Sequence, residues 1–81
     1  MELWIRGQNK EVLTKTERII IEEAENKFVI IHFDNKDNWI KLGVYDTKER
    51  ALEVLDEIQR HLVVINDKND NLFYVYEMPV D

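Results

Sequence analysis

Hydrophobic and polar positions alternate along most of this chain, and only one segment changes to a helical spacing. Its apolar residues recur at intervals of three and four, which is the spacing of one face of an amphipathic helix. The pattern predicts a helix over residues 46–62. Asp46 or Thr47 caps it, since either side chain can accept hydrogen bonds from the first-turn amides. The apolar stripe of this helix consists of Ala51, Val54, Leu55, Ile58 and Leu62.

Most of the remaining apolar residues recur with a period of two, which predicts β-strands. Short polar turns separate them, so consecutive strands are expected to pair antiparallel. The predicted fold is α+β in the order β-β-β-β-α-β: an antiparallel meander sheet of four to five strands with one helix packed on one face. The predicted strands are residues 3–6, 18–22, 28–33, 39–45 and 72–78, with brief pairing over 11–16 and a polar loop over 66–71.

The predicted strands carry more apolar surface than one helix can cover. The segment 28–33 is apolar on both faces, which indicates a central strand covered on both sides. In the segment 39–45, alternation puts Ile40, Leu42 and Val44 on one face and the aromatic residues on the other. We expect the uncovered aromatic side chains to contact another subunit, a partner or a ligand. The residues assigned to a subunit interface are Trp39, Tyr45, Tyr74 and Tyr76.

Composition narrows the function without naming it. Eighty-one residues predict one domain over residues 1–81, near the size where a single core supplies roughly 3–5 kcal/mol. Association into a homo-oligomer would add apolar burial. The net charge of −6 argues against direct nucleic-acid binding. No stretch approaches the ~20 apolar residues of a membrane helix, so we expect a cytoplasmic protein without a membrane partner.

The chain carries no signature of catalysis. It contains no cysteine and no serine, which excludes disulfides, cysteine metal sites and a serine nucleophile. Gly7 and Gly43 are too far apart to build a glycine-rich phosphate loop. His32 and His61 lack metal-ligand spacing and are interpreted as a sheet or core histidine and a helix C-terminal residue. We therefore expect no enzyme activity, catalytic residue, metal or cofactor.

Two places could hold a small anionic ligand. At the predicted helix start, Thr47 and Arg50 lie beside unpaired backbone amides, which can accept a phosphate or carboxylate. Trp4 and Arg6 share a strand face, and such a pair can stack on a planar group and bind an anion. An ordinary cap and a half-buried Trp covered by an Arg stem are the structural alternatives. The predicted ligand-binding residues are Trp4, Arg6, Gln8, Tyr45, Thr47 and Arg50.

The chain reads LWIRGQNK at 3–10, LGVY at 42–45, TKERALEVLDEIQ at 47–59 and YEMP at 76–79. These four runs resemble a family of small proteins encoded in phage, prophage and other mobile regions of Firmicutes. The family opens with WIRSQ, then Asp or Asn, then Lys. This chain departs from it at Gly7, where the family has serine, and residues 18–38 show no match.

The resemblance implies a genomic context rather than a mechanism. A small phage protein of this kind is expected to counter host immune defence, here by sequestering an anionic signalling nucleotide as a homo-oligomer in the cytoplasm of the infected or host bacterium. One alternative is a direct protein inhibitor of a host defence factor. Another is a structural or regulatory accessory protein with no immune role. The inhibitor would present an acidic helix side formed by Glu49, Glu53, Asp56 and Glu57.

Overall fold

A computed structural model describes residues 2–68 and 73–81 of the chain. The predicted α+β class is confirmed, with one helix and six strands in this part of the chain. The order is β1 (Glu2–Arg6), β2 (Leu13–Lys15), β3 (Arg18–Ala24), β4 (Lys27–Phe33), β5 (Trp39–Tyr45), α1 (Lys48–Lys68) and β6 (Phe73–Glu77).

The strands form two three-stranded sheets rather than one meander. The first sheet has the order β2-β1-β6, with β1 antiparallel to β2 and parallel to β6. The second sheet has the order β3-β4-β5 and is antiparallel throughout. The predicted meander is therefore confined to three strands. Periodicity reports local strand character but carries no signal for the pairing of the first strand with the last.

One hydrophobic core joins α1 to one face of each sheet. The helix packs against β1 and β6 of the first sheet and against β4 and β5 of the second. Its predicted stripe faces this core, so the helical spacing identified the correct side. The buried core consists of Leu3, Ile5, Ile30, Leu42, Tyr45, Ala51, Val54, Ile58, Tyr76 and Met78.

The boundaries of α1 differ from the prediction at both ends. Thr47 is the cap, because its Oγ1 accepts a hydrogen bond from the Arg50 N–H at 3.1 Å. Asp46 instead forms an ion pair with Lys27. The helix continues to Lys68, so the predicted polar loop is helical over residues 66–68. The rest of that loop, residues 69–71, and residue 72 of the predicted last strand lie outside the described residues.

A β-bulge in β5 changes which residues face the core. Ile30 pairs with Gly43 while Ile31 pairs with Lys41, so Leu42 is an extra residue between the two pairs. Because side chains alternate between faces, one extra residue reverses the alternation beyond it. Tyr45 consequently lies in the core with 2% of its surface exposed. The prediction that Tyr45 shares a face with Trp39 is therefore wrong.

Candidate functional site

One face of the second sheet is not covered by α1 and is named the open face here. On β4, the residues that alternate with the core residues Ile30 and His32 point to this side. Trp39 on the open face is 63% exposed and Ile20 is 37% exposed. β4 is the central strand of its sheet, as expected. On its open face Ile31 is 7% exposed and Val29 and Phe33 are half-buried, so among the described residues this side of β4 is only partly covered. A depression of about 450 Å³ on this face is lined by Glu22, Ala24, Val29, Ile31, Phe33, Trp39 and Lys41.

Two aromatic rings and three charged side chains lie close together on the open face. Phe33 and Trp39 are directly opposite each other on neighbouring strands, within the range of cross-strand side-chain contact. The guanidinium of Arg18 lies 4.8 Å from the centroid of the Phe33 ring, a cation–π distance. Lys41 lines the depression from β5 and Glu22 from β3. The arrangement can therefore hold a flat ring and has two cations near it, Arg18 and Lys41.

The predicted site at the start of α1 is only partly assembled. Tyr45, Thr47 and Arg50 do line one depression there. The Nε of Arg50 donates to the carbonyl oxygen of Asp81 at 2.9 Å, and its guanidinium lies 3.6 Å from the carboxylate of Glu53. These polar groups have partners within the chain, and the acidic neighbours oppose an added anion.

The predicted pair on β1 lies elsewhere. Trp4 and Arg6 face away from the core on the first sheet, where Trp4 is half-buried and Arg6 is exposed. The Nε of Arg6 donates to the carbonyl oxygen of Lys10 at 3.1 Å. Neither residue lines the depression at the start of α1. The six predicted ligand-binding residues therefore do not converge on one site.

Gln8 has a structural role. Its Oε1 accepts from the Val44 N–H at 2.9 Å, and its Nε2 lies within hydrogen-bond distance of the Val44, Pro79 and Val80 carbonyl oxygens, at 3.3, 3.0 and 2.8 Å. Its backbone N–H donates to the Leu42 carbonyl oxygen at 2.7 Å. The amide joins the turn after β1 to β5 and to the C-terminal segment, and it is not available to a ligand.

We predict that Gln8→Ala lowers the free energy of unfolding by about 2–3 kcal/mol, because it leaves part-buried backbone groups of β5 and the C-terminal segment without partners. Gln59→Ala is a matched control on the exposed side of α1 and should change stability by less than about 0.5 kcal/mol. Urea denaturation followed by circular dichroism measures both. Equal effects of the two substitutions would contradict the role of Gln8.

The predicted aromatic interface is mostly internal. The Tyr45 hydroxyl donates to the Pro79 carbonyl oxygen at 2.8 Å, and the Tyr76 hydroxyl donates to the Glu57 carboxylate. Tyr76 is 8% exposed, and Tyr74 packs half-buried against the core. Of the four assigned residues, Trp39 alone is largely exposed. The bulge and the pairing of β6 with β1 account for this, because together they turn the other aromatic rings inward.

Burial changes the acidity of two of these tyrosines. It raises the pKa of Tyr45 to about 12 from 10.0. Burial also raises the pKa of Tyr76, and the hydrogen-bonded carboxylate of Glu57 raises it further. Since a phenolate is poorly solvated in the core, the folded state favours the neutral form of both groups.

We predict that stability is insensitive to these tyrosines below pH 10 and falls as the pH rises from 10 to about 12, the folded pKa of Tyr45. Stability falls over this range because the unfolded chain releases these protons at lower pH than the folded chain does. Denaturation curves collected over this pH range give the free energy of unfolding, and phenolate absorbance at the same pH values follows the ionisation of the tyrosines. Tyr45→Phe should make the decline shallower, and an unchanged slope in that variant would contradict the prediction.

The two histidines have partners within the chain. His32 is 1% exposed, and its Nε2 accepts a hydrogen bond from the Glu17 N–H at 3.1 Å. The ring of His61 lies 5.1 Å from that of Tyr76, between centroids, and its Nδ1 is 2.8 Å from the Glu57 carbonyl oxygen. Within residues 2–68 and 73–81, no three acidic or histidine side chains group as metal ligands.

Phe33 and Lys41 line the depression but are not among the site residues predicted from the sequence. The sequence signal for Phe33 is the segment 28–33, which is apolar on both faces, and no such pattern marks Lys41. In the described ranges, no helix has the length and apolar character needed to cross a membrane.

Comparison of the chain with protein-family models, curated proteins and solved structures finds no match.

Proposed function

We propose that this chain is a non-enzymatic binding protein of a phage or mobile element that sequesters an anionic nucleotide on its open face and acts as a homo-oligomer. The observation that carries the proposal is the depression in which Phe33 and Trp39 lie opposite each other beside Lys41. The proposed role of the protein against host immune defence rests on the family resemblance alone.

The chemistry of the depression matches the parts of a nucleotide. Exposed aromatic side chains on sheets serve as stacking platforms for nucleobases, with about 1–3 kcal/mol per stacked base. Trp39 supplies the exposed ring, and the ammonium of Lys41 can pair with a phosphate. Phe33, opposite Trp39, is half-buried and its ring is already in contact with the Arg18 guanidinium. Glu22 can accept hydrogen bonds from the amino group of a base, because an ionised carboxylate only accepts.

The overall charge limits the size of the ligand. A long nucleic acid is held by many Lys and Arg contacts to phosphates, whereas one lysine lines this depression and the chain carries a net charge of −6. A small ligand with one or two phosphates needs only one such contact. The arrangement therefore favours a free nucleotide over a nucleic-acid strand.

Trp39 is itself the reporter for a direct test. The chain has two tryptophans, so Trp4→Phe leaves Trp39 as the one fluorophore of this type. We predict that stacking of a base quenches its fluorescence when the protein is titrated with mononucleotides, cyclic dinucleotides or ADP-ribose derivatives, and calorimetry gives the affinity. No quenching and no heat across the panel would refute nucleotide binding.

Substitutions in the otherwise unchanged chain locate the site. Trp39→Ala and Lys41→Glu should each weaken binding about tenfold or more, the effect of losing one stacking or charged contact. Lys36→Glu is a matched control, because it makes the same charge change at an exposed position of the β4–β5 turn. Equal loss in the control would indicate a general charge effect rather than a site on the open face.

The second candidate is a direct inhibitor that binds a basic host protein through α1. Glu49, Glu53 and Asp56 are exposed on this helix, and Leu52 among them is 43% exposed. Such a surface has the acidic and apolar groups that a basic protein interface would complement. Glu57 does not belong to it, because its carboxylate accepts the hydrogen bond from Tyr76.

For this candidate, the Glu53→Lys/Asp56→Lys double variant should lose capture of a basic partner from host lysate while keeping the nucleotide affinity of the parent. Glu11→Lys/Glu25→Lys makes the same two acid-to-lysine changes at exposed positions outside α1 and controls for the altered charge. Capture that is unaffected by the double variant would rule out the acidic side of α1 as the contact surface.

A further inference from the structure

We infer that a second copy of this chain pairs antiparallel with the outer edge of β3, which makes one continuous six-stranded sheet from the two β3-β4-β5 sheets. The inference deepens the homo-oligomeric part of the proposed function and rests on that part alone. Its basis is an edge strand whose charges and apolar residues are complementary to themselves.

The two edges of the second sheet differ in how they are occupied. At the β5 edge, the backbone of Leu42 and Val44 is bonded to Gln8. At the β3 edge, no strand of the described chain pairs with the side opposite β4. The helix packs over β4 and β5, so it leaves this edge accessible. A seven-residue edge strand rich in isoleucine readily pairs with another strand unless charges or a covering element prevent it.

Geometry restricts how two β3 edges can pair. Outward-pointing peptide groups occur at every second residue of a strand, so each outward residue must face an outward residue of the partner. Registers centred on a residue satisfy this condition. Centred on Ile20, the pairing sets Arg18 opposite the partner's Glu22 and Ile19 opposite the partner's Ile21. Opposite charges directly across an antiparallel pair are favourable, and the two-fold symmetry makes two such pairs.

Neighbouring registers lose this match. Centred on Ile21, the pairing sets Arg18 opposite Ala24 and Ile20 opposite Glu22 of the partner. Centred on Ile19, it sets Arg18 opposite the partner's Ile20. Both leave charges facing apolar side chains, which favours the register centred on Ile20.

The same register fills an apolar groove beside the edge. The groove runs between β3 and α1 and includes Ile19, Leu55 and Leu62 in its lining, with no cation among the lining residues. The partner's Ile21 falls beside Ile19 and so enters this groove. Leu52 and Val63, 43% and 54% exposed, lie on the same flank of α1 and can be partly covered in turn.

One contact opposes the pairing and supplies a test of its own. In this register Glu17, next to the start of β3, lies opposite the partner's Glu23, and like charges directly opposite are destabilising. Glu23→Lys should therefore tighten association. Arg18 is available for the pairing, since the ion pair that it makes with Asp37 at 3.2 Å is solvent-exposed, with side-chain exposures of 61% and 83%.

Sedimentation velocity over a concentration series, supported by native mass spectrometry, measures the dimer dissociation constant of the full chain. Arg18→Glu and Glu22→Arg should each raise it about tenfold or more, because each turns two attractive pairs into two repulsive ones. The double variant Arg18→Glu/Glu22→Arg should return it to within about threefold of the parent, because the pairs are restored with reversed sign.

Two controls separate the pairing from other effects of charge. Glu25→Arg makes the same charge change as Glu22→Arg in the adjacent turn and should leave the constant unchanged. Asp37→Ala removes the intramolecular partner of Arg18 without touching the edge, and association should be unchanged or tighter. Circular dichroism of each variant establishes that the monomer is folded.

A parent chain that is monomeric at every concentration overturns the inference. So does a dimer whose dissociation constant none of these substitutions changes, or one whose dissociation constant the double variant fails to restore. Nucleotide binding is measured on the same proteins through Trp39. Dimerisation without ligand binding refutes only nucleotide binding. Ligand binding to a strict monomer refutes the pairing of β3 and the homo-oligomeric part of the proposed function, and leaves nucleotide binding standing.

Discussion

The side-chain amide of Gln8 is the connection on which the arrangement of the two sheets depends. Its Oε1 accepts from the Val44 N–H and its Nε2 lies near the Val44 carbonyl oxygen, as the peptide group of a neighbouring strand would. One side chain therefore takes the place of a residue of an additional strand. Its other contacts reach Pro79 and Val80. The first sheet, the β5 edge and the C-terminal segment are thereby fixed to one another. The core on α1 fills the space between sheets whose separation this amide helps to set.

The bulge at Leu42 determines which side chains of β5 face the core. It reverses the facing of the residues after it, which turns Tyr45 inward to donate to Pro79. The core thus gains an aromatic ring that a regular strand would have placed on the open face. Trp39 and Lys41 precede the bulge and keep the opposite orientation. One inserted residue therefore separates the aromatic groups of β5 into a structural one and an exposed one.

The local pattern of side chains predicts the individual elements of this fold, whereas the features that depend on distant partners cannot be predicted from it. The stripe of α1 and the segments of β3, β4 and β5 follow from side-chain periodicity, which is a property of neighbouring residues. The parallel pairing of β1 with β6 joins residues from the two ends of the chain, and nothing in either segment specifies it. The sequence predicts Gln8 and Tyr45 as ligand contacts because a polar or amphipathic group has the same appearance in sequence whether it binds a ligand or the backbone.

β3 connects the two proposed activities, because Glu22 belongs to both. It lines the depression on the open face, where an unpaired carboxylate repels a phosphate near Lys41. Pairing of β3 edges would set the partner's Arg18 opposite Glu22 and neutralise that charge. The dimer would then bind an anion more tightly than the monomer does. By linkage, the ligand would in turn strengthen the dimer by the same factor. A chain with a net charge of −6 could in this way assemble a local environment suited to an anionic ligand.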